Sequence, residues 1–393
     1  MPLPLYLLAM AIFAMGTSEF MLAGLLPNIA AALSVSVATA GLLTSAFAAG
    51  MVVGAPLMAG LTRTCSPRLS LLGFLTGFLA AHVVGAITES FTILFVTRIV
   101  AALANAGFLA VALSTATTLV PANKKGRALA VLLGGITLAT IVGVPGGALL
   151  GTLLGWRATF WVVAVLCLPA AVGVAGSIPA AAQERSEAST GPDLRQELTQ
   201  LQRRRLIVTL ILCALINAAT FGTYTFLAPL VTDVAKLDSW WVSVVLVLFG
   251  LGSFVGVTVA GRLSDRRPGH VIAVGGPLLL LGWIGLALMA ANPATLLILA
   301  FTQGALSFAL GSTLIARVLY EAAAAPTMAG SYATAALNVG AATGPVIAAA
   351  TLNTGLADLG PVWASSILVA IALLFAMAFR DTLGPNRGIG TVE

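Results

Sequence analysis

Twelve apolar stretches, each long enough to cross a bilayer, divide this chain and leave it few ways to fold. They run at roughly 4–27, 39–60, 69–88, 92–118, 129–151, 159–177, 207–230, 241–261, 271–291, 295–316, 331–353 and 362–379. About twenty apolar residues in a helix span the hydrocarbon of a membrane. In that medium every backbone N–H and C=O must bond within its own segment, so the stretches are expected to be helices. Only 8% of the 393 residues are charged and 59% are hydrophobic, against about a quarter charged in soluble domains. The fold class expected is an all-α membrane protein of twelve transmembrane helices. No basic residue precedes the first stretch, so it reads as a retained span and not a cleaved leader.

The stretch 178–205 is polar and long, and it splits the spans six and six. The expected organisation is an N-terminal bundle over 1–177, a cytoplasmic linker over 178–205 and a C-terminal bundle over 206–393. An even number of spans puts both termini on one side. Of the 19 Lys and Arg residues, sixteen fall on the side of the termini and central loop. Arg157 and Lys236 fall on the other side, and Arg98 sits inside a span. That asymmetry places both termini in the cytoplasm, in a cell inner membrane. It also accounts for the net charge of +6. The basic loops lack interleaved aromatics, so nucleic acid is not an expected partner.

Several chemistries are absent. The three cysteines form no CxxC or other metal-ligand spacing, and free thiols are expected. His82 and His270 are far apart and no HExxH occurs; no lysine follows a glycine in a phosphate-binding loop. No cofactor, metal or catalytic group is expected.

The halves resemble each other at an offset near 201. GLTRTCSPR (60–68) after the second span answers GRLSDRRPG (261–269) after the eighth. Gly143 and Pro145 in the fifth span answer Gly344 and Pro345 in the eleventh, and Gly50 and Gly54 answer Gly252 and Gly256. Six spans per half give the halves one orientation, the plan of parallel repeats. GRLSDRR resembles the loop motif of the major facilitator superfamily. In the first copy Thr64 stands where Asp is usual and Pro67 stands for the second glycine. VTRIVAALANAG (96–107) resembles that superfamily's fourth-span motif with a buried arginine, and GVPGGALLG (143–151) the fifth-span motif of its drug exporters. GTSEF (16–20) and LGWRATFW (154–161) resemble its twelve-span drug:proton antiporter branch, and the whole chain is most similar to the chloramphenicol exporters there. The resemblance implies two parallel-related six-helix bundles that expel a small drug by alternating access. It implies gating by Asp265 and Arg266 in a cytoplasmic latch, and by Gly143, Pro145, Gly344 and Pro345 at helix contacts and kinks.

Glu19 lies in the first span and Arg98 in the fourth, at similar depth. Ionisable residues inside spans mark ion and substrate paths by default. The pair is expected to couple protons, with Arg98 as ion-pair partner, since an arginine keeps its own proton. The alternatives are a Glu19 satisfied by Thr17 or Ser18 hydroxyls, and an Arg98 that pins its span to neighbouring carbonyls. Candidate substrate contacts are the polar or aromatic residues at membrane depth: Asn105, Asn217, Phe221, Tyr224, Gln303, Ser307, Phe308 and Asn338; interhelical bonding and packing are the alternatives. No other carboxylate lies within a span, so a cavity there would suit a neutral, partly aromatic drug better than a cation, and chloramphenicol is one. The reading is therefore a monomer in the lipid bilayer that exchanges protons for chloramphenicol. Export of sugars or nucleosides is the alternative within transporters, and a membrane-embedded enzyme or receptor the alternative outside them.

Overall fold

The computed structural model describes residues 2–61, 65–121, 125–178, 199–264, 268–323 and 328–383. It contains twelve helices long and apolar enough to cross a membrane, and among the described residues no strand. We number them α1 (Leu3–Phe20), α2 (Val37–Leu61), α3 (Pro67–Ile87), α4 (Phe91–Thr118), α5 (Lys125–Leu138, continued by Val144–Leu154), α6 (Trp156–Ser177), α7 (Arg204–Thr225), α8 (Trp240–Ser264), α9 (Pro268–Met289), α10 (Pro293–Glu321), α11 (Ala329–Leu352) and α12 (Gly360–Ala378). Side-chain caps mark several starts: Ser66, Ser90 and Asn292 each accept from the backbone N–H three residues on, which satisfies a donor the helix cannot. Large apolar side chains such as Leu153, Val172, Leu281 and Leu374 point outward and stay exposed. Lipid, not water, makes such a surface stable.

The helices form two six-helix bundles, each with its own buried core. The repeat seen in the sequence holds in three dimensions. Gly50 and Gly54 of α2 press on Ile99 and Leu103 of α4; Gly252 and Gly256 of α8 press on Phe301 and Ala305 of α10. Both partners shift by the same offset of 202. Likewise Gly143 of α5 abuts Thr17, and Gly344 of α11 abuts Ala218 of α7, with both partners shifted by 201. Without side chains, these glycines let helix backbones approach closely where a Cβ would collide.

Pro145 and Pro345 act differently. A π-helical turn at Ala139–Gly143 interrupts α5 just before Pro145. Proline lacks the N–H that would bond one turn back, and the wider turn absorbs the mismatch. Pro345 sits inside α11, which runs unbroken from Ala329 to Leu352.

The bundles meet through a few residues that join the other half's core. Phe226, Ala348 and Ala349 pack into the N-terminal core, while Ala23, Val144 and Ala148 pack into the C-terminal core. All six lie in or just past the later half of an odd-numbered helix. Those helices start on the side of the termini, so the halves are sealed on the far side. Asp265 and Arg266, and residues 179–198 of the linker, lie outside the described residues.

Candidate functional site

α1 does not run straight through to the far side. It ends at Phe20, passes through a tight 3-10 turn over Met21–Gly24, and restarts as Leu26–Ala32. Pro27 explains the break, since its ring opposes the carbonyl one turn back and it donates nothing. The last carbonyls of a helix lack intrahelical partners and favour a cation. Arg98 of α4 fills that role. Its Nη2 donates to the Ser18 carbonyl at 2.8 Å and its Nη1 donates to the Ser18 Oγ at 2.8 Å. The guanidinium carbon also lies 4.4 Å above the centre of the Phe47 ring, a cation–π arrangement. Arg98 is only 1% exposed.

The direct ion pair expected between Arg98 and Glu19 is not formed. Arg98 is held by the residue before Glu19, in the manner of the alternative in which it pins α4 to a neighbouring carbonyl. Glu19 Oε2 accepts instead from Asn105 Nδ2 at 3.5 Å, a long bond. The helix break is the physical reason, because it presents the Ser18 carbonyl to the guanidinium while Glu19 turns toward the space between the bundles.

That space is a cavity of about 530 Å³, within the ~300–1,000 Å³ usual for small-molecule sites. Its wall carries Glu19, Asn217, Phe221, Ser307, Phe308 and Asn338 of the expected residues. Glu19 is the one charged residue on it among the described residues. Asn217 donates to the Leu337 carbonyl at 2.6 Å and Asn338 to the Thr334 carbonyl at 3.0 Å, so each keeps its amide oxygen for other use. Ser307 Oγ is buried with no partner. At the inner apex a recess of about 10 Å³, room for roughly one water, is lined by Phe20, Tyr224, Phe249 and Phe308 among others. Phe20 comes from the N-terminal bundle and stands 5.7 Å from Phe221, centre to centre; Tyr224 and Phe249 are 5.0 Å apart. These spacings are those of interacting aromatic rings.

Three expected contacts are placed otherwise. Gln303 turns away from the cavity: its Nε2 donates to the Leu279 carbonyl of α9 at 3.1 Å, and it fills the gap left by Gly282. Tyr224 lines the recess and not the main cavity. Asn105 touches Glu19 and not the open space. Conversely Thr137, Thr140, Thr220 and Ser253 reach the wall and were not foreseen. Thr137 and Thr140 share a face of α5, and Thr220 follows Asn217 by three. The spacing of polar residues along those helices was the available signal.

Two six-helix bundles around a shared cavity with an acid on its wall define a membrane transporter. The chain belongs to the Major Facilitator Superfamily, whose family model matches residues 8–345. It is 67% identical over 383 residues to a chloramphenicol resistance protein of Streptomyces lividans, covering 98% of this chain and 97% of that one. It is 34% identical over 380 residues to the inner membrane transport protein YdhP of Escherichia coli (strain K12), covering 96% of each. The fold is shared with solved transporter structures. A bacterial homolog of the human lysosomal transporter Spinster, inward-facing and unoccupied, superposes with TM-score 0.77 at 16% identity, over 97% of this chain and 96% of that one. A D323A mutant of the nucleoside transporter NupG gives 0.75 at 15%, over 97% and 99%.

Proposed function

We propose that this transporter is a proton-driven exporter of chloramphenicol or a closely similar neutral drug, working by alternating access in the cytoplasmic membrane. The carrying observation is Glu19, the one charged side chain among the described residues on a part-aromatic cavity wall. A neutral aromatic drug with hydroxyl and amide groups finds rings at Phe221 and Phe308 and polar partners at Asn217, Ser307 and Asn338. The 67% identity with a chloramphenicol resistance protein supports the same substrate. With the termini cytoplasmic, as the basic-residue bias argues, the cavity lies toward the cytoplasm and the sealed side faces out.

The bundles 1–177 and 206–393 rock against each other about this site, as a monomer. A proton arriving from outside neutralises Glu19, and its departure inward resets the carrier. Arg98 keeps its proton throughout and so carries none across. It supplies instead a fixed positive charge beside the exchanging acid. Inside-out vesicles test this: labelled chloramphenicol should accumulate when a pH gradient is imposed and should stop doing so with a proton ionophore. Accumulation indifferent to the ionophore would overturn the coupling. If a sugar or nucleoside accumulates and chloramphenicol does not, the substrate is wrong.

A further inference from the structure

Two polar side chains beside Arg98 have no part in the transport scheme above. Ser18 is fully buried and His82 is 1% exposed. His82 Nδ1 lies 2.8 Å from the Phe78 carbonyl oxygen, one turn earlier on α3. A carbonyl only accepts, so Nδ1 carries the hydrogen. Nε2 is then a bare acceptor, and the Ser18 hydroxyl donates to it at 2.7 Å. With its hydrogen spent, the Ser18 Oγ offers lone pairs to Arg98 Nη1. Every donor in this chain has one acceptor, and its direction is fixed from end to end.

The arrangement is unusual for a buried cation. A carboxylate is the stronger partner for a guanidinium, and one stands on the adjacent residue. Ser18 and Glu19 are consecutive on α1, about 100° and 1.5 Å apart along the helix. A turn of the long Arg98 side chain would carry its guanidinium from one toward the other. Its Nε has no partner, so it has a donor to spare in the present arrangement.

The geometry points to Ser18 and His82 as positioning residues that hold Arg98 away from Glu19 and so set the pH at which Glu19 exchanges its proton. The inference rests on the reading of Glu19 as the proton carrier. With Arg98 on Ser18, Glu19 faces a neutral amide and its protonated form is favoured; with Arg98 on Glu19, the anion is favoured. Weakening the hold moves the balance toward the pair, and a more acidic medium is then needed to protonate Glu19. Protonation of His82 itself would aim a second donor at an oxygen already receiving one, beside a fixed cation. Of the other helices packed on α1 and α3, α2 carries no titratable side chain, α4 carries none besides Arg98, and α5 carries Lys125 and Arg127 only, at its start; α6 carries the buried Cys167 and Arg157, which donates to the Thr88 carbonyl at 2.9 Å.

The experiment is pH-gradient-driven uptake of labelled chloramphenicol into inside-out vesicles, as a function of lumenal pH. Ser18→Ala and His82→Leu should move the half-maximal pH about one unit more acidic, the tenfold in proton concentration that corresponds to about 1.4 kcal/mol. Ser18→Thr keeps the hydroxyl and His82→Gln keeps an acceptor where Nε2 stands; both should restore the original midpoint. A wild-type midpoint in Ser18→Ala, whatever its rate, overturns the inference, as does His82→Gln tracking His82→Leu. If His82→Leu fails to reach the membrane, the serine pair carries the test alone. Glu19→Gln separates the two readings. Its full gradient-driven uptake would sink the coupling proposal. Its loss, with an unmoved midpoint in Ser18→Ala, would sink the positioning role alone.

Discussion

Gly256→Ala is the sharpest test of how the C-terminal bundle is built. A Cβ placed on Gly256 would lie 2.7 Å from the carbonyl carbon and 2.9 Å from the Cα of Ala305, with the carbonyl oxygen nearer still. Ordinary contact begins near 3.4 Å, so α8 must retreat from α10 by at least 0.7 Å. The obstacle is backbone and cannot rotate aside. A gap of 0.5–1 Å forfeits roughly a quarter to a half of the dispersion energy of the atoms that part, and overpacking costs about 1–3 kcal/mol. The helix-propensity gain of alanine over glycine, ~1 kcal/mol, offsets only part of this. The equivalent Gly54→Ala meets the Ala106 Cβ at 2.9 Å and the Leu103 Cα at 3.2 Å, a milder clash. Gly77→Ala meets nothing within 4 Å and should be neutral or stabilising. Thermal unfolding in detergent should therefore rank Tm as Gly77→Ala at or above wild type, then Gly54→Ala, then Gly256→Ala. Gly256→Ala melting with wild type would refute the close backbone contact of α8 on α10.

Glu19→Gln should cut ionophore-sensitive chloramphenicol uptake to background while drug exchange without a gradient persists, because the amide fills the same space but carries no exchangeable proton. Phe308→Ala should weaken drug binding about two- to tenfold, the loss of one ring contact of ~0.5–1.5 kcal/mol, read as a rise in the KM of uptake. Cys65 is exposed, whereas Cys167 and Cys213 are buried. A membrane-impermeant maleimide should thus label one thiol per chain, in inside-out vesicles and not in intact cells; labelling in intact cells would reverse the orientation argued from the basic loops.

The twelve spans were legible because hydrocarbon leaves a helix as the way to satisfy an isolated backbone segment. The glycine pairs were legible because a repeat must keep the same close contacts in both copies, and Gly54 with Leu103 answers Gly256 with Ala305. Glu19 and Arg98 stood out as charges at membrane depth, and Glu19 does reach the cavity wall. The partner of Arg98 was not legible. The first apolar run read as one span over 4–27, and nothing in it showed that a break before Pro27 would hand the Ser18 carbonyl to the guanidinium. The part His82 plays was not legible either, because its two hydrogen bonds go to Phe78 on its own helix and to Ser18 on a helix distant in sequence. Gln303 and Ser307 lie four apart on α10 and looked alike, yet Gly282 opens a hole that takes Gln303 away from the cavity.

Composition and the spacing of apolar runs, by themselves, determined the helices and their number, since those follow from what each segment must do with its own backbone in lipid; the matching motifs and glycines of the two halves determined the repeat. Tertiary structure alone decided which polar groups face the cavity, which side of it is sealed, and that a serine and not a glutamate holds the buried arginine. Those outcomes depend on how helices distant in sequence rotate and approach, and a difference of one residue along α1 turns a side chain by about 100°.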